Sequence, residues 1–496
     1  MYRRTLGMTV LVLVTAWAAA ARADVPDAVY SPNSWLNLAP GSDPSQLSIS
    51  WATRNSDLTS FNYTPVDDVL STAPAAMALP VPEVQIVKLD PRHPGAATSV
   101  NFDEDPSTRT FYGVTLQSFL TQSGAATPAG WFQNKVTITG LDKSSTYAYR
   151  VGYGTTFSGA YTFRTQDPHT FSFIAAGDPQ LGASTGGAHE PPAQAGNVLP
   201  YDTTSWQGAL TTMTKMVPDA AFVISLGDQI DNTSSQSGVD PQYDSYFSPL
   251  QLLGIPVATV DGNHDYGLGQ YYAYHYNLPN QSAQYGATEY GNDGDYWFRY
   301  GNALFMVLNS NTLSAATHDV FLRHAIAANL GATWRIVCFH HSLYSAADHT
   351  FDNDILFRRS AYPALFDKHH IDVVLSGHDH SFTRSFQMLG NAPVSQSRME
   401  TLPNGGVRVT DPQGTLYMTL DSGSGSKYYD LNSAYVNPTT GAALYPAFVA
   451  NFWQEYEPSF SRVTIDGNRF SIVTYATNNL AKPIDDYTLV KRDGPF

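Results

Sequence analysis

"IDVVLSGHDH", residues 371–380, is a mostly apolar run that stops in a glycine turn and sets two histidines one residue apart. A run this apolar fits a strand covered on both faces, as in a parallel sheet flanked by helices. Its Gly-His-x-His ending places two imidazoles at the carboxyl end of that strand, where open α/β sheets collect ligands. Taken alone, the turn does not separate a metal site from an ordinary polar loop. The rest of the chain decides between them.

Five more runs have the same form: "FSFIAAGD", "AAFVISLGD", "IPVATVDGNHD", "ALFMVLNS" and "WRIVCFHH". Between them, "SWQGALTTMTKMV" and "THDVFLRHAIAANL" carry apolar residues at helical spacing and fit covering helices. The class expected for residues 170–490 is therefore α/β (α+β). Most of these strands end in groups that bind cations: Asp178 and Gln180 in "GDPQ", Asp228 and Asp231 in "GDQID", and Asn263 and His264 in "GNHD". His340 and His341 in "FHH" and His378 and His380 in "GHDH" complete the series. Imidazole nitrogens mixed with carboxylate and amide oxygens, without thiolate, suit divalent or trivalent Mn, Fe or Zn better than calcium.

Residues 27–166 follow another pattern. "QLSISWAT", "VPEVQIVKL", "NKVTITGL" and "TYAYRVGYG" are short strand runs separated by turn formers, with no helical period. This predicts an all-β sandwich, and Trp51, Tyr147 and Tyr149 within its strands resemble the core aromatics of a fibronectin type III-like module. "RTQDPHT", 164–170, reads as the linker, and 389–413 as a polar loop or hairpin insertion. The tyrosines of "DYGLGQYYAYHYN", Asp265 to Asn277, fit either core packing or stacking faces for a substrate ring.

Composition narrows the partners. A chain of 496 residues, 43% hydrophobic and 14% charged, has enough apolar surface for more than one packed core. Its net charge of -16, without clustered Lys and Arg, argues against binding a nucleic-acid backbone. An anionic substrate would need local positive charge, which metal ions supply. Arg3, Arg4, an apolar run and Ala21-Arg22-Ala23 read as a cleaved export signal over residues 1–23, giving a secreted or periplasmic protein by a route that fits twin-arginine export in part. No later segment is long and apolar enough to span a bilayer. Cys338, the single cysteine, excludes an intramolecular disulfide. Oligomeric state leaves no trace in the sequence.

The ordered set of strand ends resembles the calcineurin-like metallophosphoesterase superfamily, and with a sandwich in front it is similar to the purple acid phosphatases. The resemblance implies a two-layer β-sandwich flanked by helices, holding two transition-metal ions bridged by one carboxylate. By position, Asp228 would be that bridge, with Asp178 and His380 on the first metal and Asn263, His340 and His378 on the second. Gln180 stands where many members place histidine, and its carbonyl would be a weaker first-metal ligand. Asp231 stands where purple acid phosphatases place tyrosine, so a colourless protein is expected. Asp231 resembles instead the Gly-Asp-x-x-Asp variant, whose second carboxylate would aim His264 as general acid at the leaving oxygen.

The implied reaction is in-line attack of metal-bound hydroxide on a small phosphorylated substrate, with His264 protonating the departing alkoxide. Asn263, His264, His341 and Arg384 are the candidate substrate contacts. "GSGSGSKYY", 423–429, reads as a glycine-rich turn bringing Lys427 near the sheet end. A phosphomonoesterase leads, followed by a phosphodiesterase or nucleotide pyrophosphatase, then a catalytically weak metal-binding surface protein.

Overall fold

The buried runs assemble into two mixed sheets in a computed structural model. It describes residues 34–54, 82–89, 102, 110–111, 114–115, 117–120, 123–126, 131–153, 156–184, 198–231, 236–265, 271–288, 294–435, 440 and 445–492. The expected export signal, 1–23, lies outside these residues. In the first sheet Val257–Thr259, Ala220–Ser225 and Thr170–Ala176 run parallel, and Ser459–Asp466, Arg469–Ala476 and Asp485–Val490 continue it antiparallel. In the second, Ala303–Val307, Trp334–Cys338, Val373–Ser376 and Thr415–Thr419 are parallel neighbours.

Sequence explains the difference between the two kinds of strand. Ala220–Ser225 and Val373–Ser376 are buried along their whole length, whereas Arg469–Ala476 alternates because only one of its faces is covered. Between the sheets, Phe173 and Phe222 of the first interleave with Phe305 and Phe298 of the second, at centroid distances of 5.3 and 5.4 Å. Helix Val198–Met216 adds Trp206, Leu210 and Met213 to this core. Helices Ala315–Ala328 and Asn353–Lys368 bury Phe321, Leu322, Tyr362 and Phe366 on the outer side of the second sheet. Because the parallel strands share one direction within each sheet, their carboxyl ends gather at one edge, and the polar stops of both sheets meet there.

Ahead of these sheets, Ser34–Pro40, Leu47–Arg54, Trp131–Ile138 and Ser123–Ala126 form one layer of a sandwich. Glu83–Lys88, Thr146–Tyr153 and their neighbours form the other. Leu38, Ile49, Trp51, Ile86, Val136 and Tyr149 fill the space between. The sandwich is tied to the larger sheets by polar bonds: Asn37 Nδ2 donates to the His275 carbonyl at 2.8 Å, and the Tyr149 hydroxyl to the Leu253 carbonyl at 2.8 Å. Pro32–Phe496 is one compact unit.

Two local expectations are decided by packing. The 389–413 insertion is a hairpin, Met399–Thr401 with Val407–Thr410, which extends the first sheet. Tyr272 and Tyr276 are buried and belong to the core, and the His275 ring lies 3.6 Å from that of Tyr243. Those tyrosines offer no stacking face to a substrate.

Candidate metal centre

Each loop at the shared edge turns sharply. Asp178 (φ 34°), Gln180 (38°), Asp228 (47°), His378 (75°) and His380 (40°) all have left-handed backbone, which costs a non-glycine residue about 1–2 kcal/mol. Strain concentrated on five neighbouring polar residues is a property of functional sites rather than of ordinary turns. Glycine makes room for them: a Cβ on Gly262 would overlap the Asp228 carboxylate, and one on Gly227 (φ 100°) would overlap the His340 ring.

The side chains converge in two groups. Asp178, Asp228 and His380 each offer one ligand atom, all within 4.8 Å of one another, and so do Asp228, His340 and His378. Asp228 belongs to both. Main-chain donors orient the carboxylates: His378 N–H donates to both oxygens of Asp178 at 2.9 Å, and His264 N–H to Asp228 Oδ1 at 2.8 Å.

The protonation pattern tests whether these residues fit metal ions. His340 Nδ1 donates to the Leu226 carbonyl and His380 Nδ1 to the Lys427 carbonyl, both at 2.8 Å. Each neutral ring then points an Nε2 lone pair into the centre. His340 Nε2 faces Asn263 Oδ1 at 3.0 Å, His378 Nδ1 at 3.2 Å and Asp228 Oδ2 at 3.2 Å. Four lone-pair atoms this close repel unless a proton or a cation lies among them. Gln180 adds a buried oxygen. Its amide nitrogen donates to Asp231 Oδ1 at 2.9 Å, while Oε1 has no hydrogen-bond partner. The residues present fit metal ions.

Without an ion, a proton takes that place. Burial alone would depress His340, but the Asp228 charge and hydrogen bond, then the Asp178 charge, push it up to about 9. Burial would raise Asp228, and His340 instead holds it well below the usual carboxylate range. A histidine whose folded pKa exceeds its unfolded value near 6.5 adds stability that is complete below about pH 6.5 and lost as pH rises through about 9. Chelated protein should therefore lose melting temperature between those pH values while metal-loaded protein does not. A flat chelated profile would contradict the pairing.

Gln180 gives a second prediction. If Oε1 is a ligand, Gln180→Leu should weaken one ion by about 10–100-fold, on the scale of changes around metal ligands. Calorimetric metal titration reads this, and unchanged affinity at both positions would show that the oxygen is not used.

His264 lies beside the two groups, about a third exposed. Its Nδ1 donates to the Asp231 main-chain carbonyl at 2.8 Å, nearer than the Asp231 carboxylate at 3.4 Å. The carboxylate's closer partner is Gln180, so the expected pairing through the side chain is corrected to one chiefly through the backbone. Of the other expected substrate contacts, Arg384 is committed elsewhere and His341 lies beside the centre. Arg384 makes a two-pronged contact with Asp485, at 2.8 and 3.2 Å, and stacks on Tyr487, which commits its guanidinium away from the centre. His341 is buried, its Nδ1 2.8 Å from Ser310 Oγ and its ring 4.7 Å from that of His378. It packs against the ligand candidate His378.

Three residues join the site without being foreseen as functional. Asp265 accepts from Gln229 N–H and Gly262 N–H, both at 3.0 Å, and so fixes the Gly-Asn-His-Asp turn. Burial, then the charge of Asp228, raises Asp265 to about 8. The His349 ring lies 4.5 Å from His378, and Tyr429 lies 4.7 Å from His349 and 4.9 Å from His380. His349 follows no strand pattern, so only the folded chain reveals its position.

Comparison with known proteins agrees with this geometry. Residues 172–382 match the calcineurin-like phosphoesterase family model. Uncharacterized proteins from two strains of Mycobacterium tuberculosis are each 28% identical to this chain over 94 residues, 19% of this chain and 18% of theirs. The chain thus spans under a fifth of the curated relatives it matches. Among solved structures, the purple acid phosphatase PPD1 from yellow lupin (Lupinus luteus) seeds has a TM-score of 0.63 at 15% identity, covering 93% of this chain and 75% of that one. PhoD has a TM-score of 0.53 at 13% identity, covering 94% and 95%. At such identities the likeness is one of fold.

Proposed function

We propose, from the match of residues 172–382 to the calcineurin-like phosphoesterase family model, that the protein hydrolyses phosphomonoesters at a centre for two transition-metal ions shared through Asp228. The observation that carries this reading is the meeting of four lone-pair atoms at His340 Nε2, beside a second group that reuses Asp228. Asp178, Asp228, Gln180 and His380 would hold one ion, and Asp228, Asn263, His340 and His378 the other. Bound there, Mn, Fe or Zn ions supply charge screening for the phosphoryl oxygens and an activated water near neutral pH.

The chain's own residues do the rest. Carbonyls of Leu226 and Lys427 fix the tautomers of His340 and His380, so both ligand nitrogens stay aimed without rearrangement. His264 is held through Nδ1 by the Asp231 carbonyl, which leaves Nε2 to carry a proton to the departing oxygen. The sandwich, proposed as a domain over 27–166, is a fixed companion of the catalytic unit, proposed over 170–490. No helix among the described residues is long and apolar enough to cross a membrane, and export remains part of this proposal.

Hydrolysis of a nitrophenyl phosphate, a bis-nitrophenyl phosphate and a nucleotide by metal-loaded protein tests the reading. Monoester turnover that chelation abolishes is expected. Turnover of the diester or nucleotide alone would move the proposal to a phosphodiesterase or pyrophosphatase, and metal binding without turnover would reduce it to a binding protein.

A further inference from the structure

We infer that Lys427 recognises the phosphoryl group and selects dianionic monoesters over monoanionic diesters, an inference that rests on the phosphoesterase reading. Lys427 follows the strand Thr415–Thr419 in a turn that is riveted to the loop carrying Asp178. Gly423 N–H donates to the Gly177 carbonyl at 2.6 Å, Ser422 Oγ to the Asp178 carbonyl at 3.0 Å and Ser426 Oγ to the Pro179 carbonyl at 2.9 Å. The glycine-rich composition therefore does not make this turn a loose one. Its serines fix it, and the carbonyl of Lys427 itself orients His380.

The side chain is placed as firmly as the turn. Lys427 Nζ sits 4.9 Å from the ring centre of Tyr429, whose ring also contacts His349 and His380. The lysine is half-buried. The arginines of the neighbouring elements are spent elsewhere: Arg358 on Asp354 and the Ser310 carbonyl, Arg359 on the carbonyls of Leu343 and Thr350, Arg384 on Asp485. Among the described residues, no carboxylate forms an ion pair with Lys427. Its ammonium, held against Tyr429, is a side-chain cation beside the centre that no carboxylate neutralises.

A monoester near neutral pH carries two negative charges and three unsubstituted oxygens; a diester carries one charge and two. A fixed cation at the rim therefore favours the monoester through charge, and the second substituent of a diester removes an oxygen that would meet the ammonium. This preference appears in binding as well as turnover.

The test compares Lys427→Met, which keeps most of the stem and removes the charge, with Lys427→Arg. Both are metal-loaded and checked for metal content equal to the unaltered protein. On Lys427→Met, kcat/KM for nitrophenyl phosphate and the calorimetric affinity for inorganic phosphate should each fall about tenfold, about 1.4 kcal/mol, with the bis-nitrophenyl phosphate rate within about twofold. Lys427→Arg should recover most of the phosphate affinity. An equal fall for monoester and diester, or phosphate affinity unchanged by the loss of charge, would overturn the inference. If the unaltered protein hydrolyses neither ester, the phosphoesterase reading fails, while the phosphate titrations still decide whether Lys427 binds the anion.

Discussion

Asp228→Asn should cost the protein both ions and lower kcat/KM by about three orders of magnitude or more, since several kcal/mol of charge stabilisation disappear at about 1.4 kcal/mol per decade. Asp228 is common to both ligand groups, and its two oxygens divide the work. Oδ1 takes the His264 N–H at 2.8 Å, and Oδ2 lies 3.2 Å from His340 Nε2. An amide keeps the shape but removes the charge and can turn an N–H toward an ion. Asp178→Asn, by contrast, touches one group and should weaken one ion first. Metal content per chain, measured with the rate, separates these outcomes. Two ions retained by Asp228→Asn at undiminished affinity would refute the shared role.

His264→Ala should leave metal content intact and lower kcat by about 10²–10⁴-fold on an alkyl phosphate, whose leaving group needs a proton. On nitrophenyl phosphate the loss should be much smaller, because nitrophenolate departs without one. The ring is partly open to solvent and anchored at Nδ1, so its other nitrogen is the one available to a substrate. Asp231→Asn is expected to have a milder effect, since the nearer anchor is the main-chain carbonyl, which that substitution keeps. Equal losses on good and poor leaving groups would assign His264 to orientation alone.

What the sequence disclosed, and what it hid, follow from the range of each interaction. Strand runs ending in "GD", "GNHD", "FHH" and "GHDH" carry their meaning within ten residues: apolar side chains bury a strand, and its last polar group is left at the sheet edge. The α/β class, the preceding sandwich and the ten strand-end residues brought to one edge were legible for that reason. Arg384 looked available six residues after His378, yet its partner Asp485 is 101 positions away. The carbonyl of Asp231 outranks its own carboxylate at His264 because of how the loop turns, which residue identity does not record. His349 and Tyr429 reach the centre only through ring stacking. Tyr272 and Tyr276 are likewise claimed by the core.

Anomalous diffraction at the absorption edges of the bound metals, from crystals of metal-loaded protein, tests the central claim most directly. Two ions on either side of Asp228 are predicted, one reached by Asp178, Gln180 and His380 and the other by Asn263, His340 and His378. A single ion, or a pair that does not share Asp228, would contradict it.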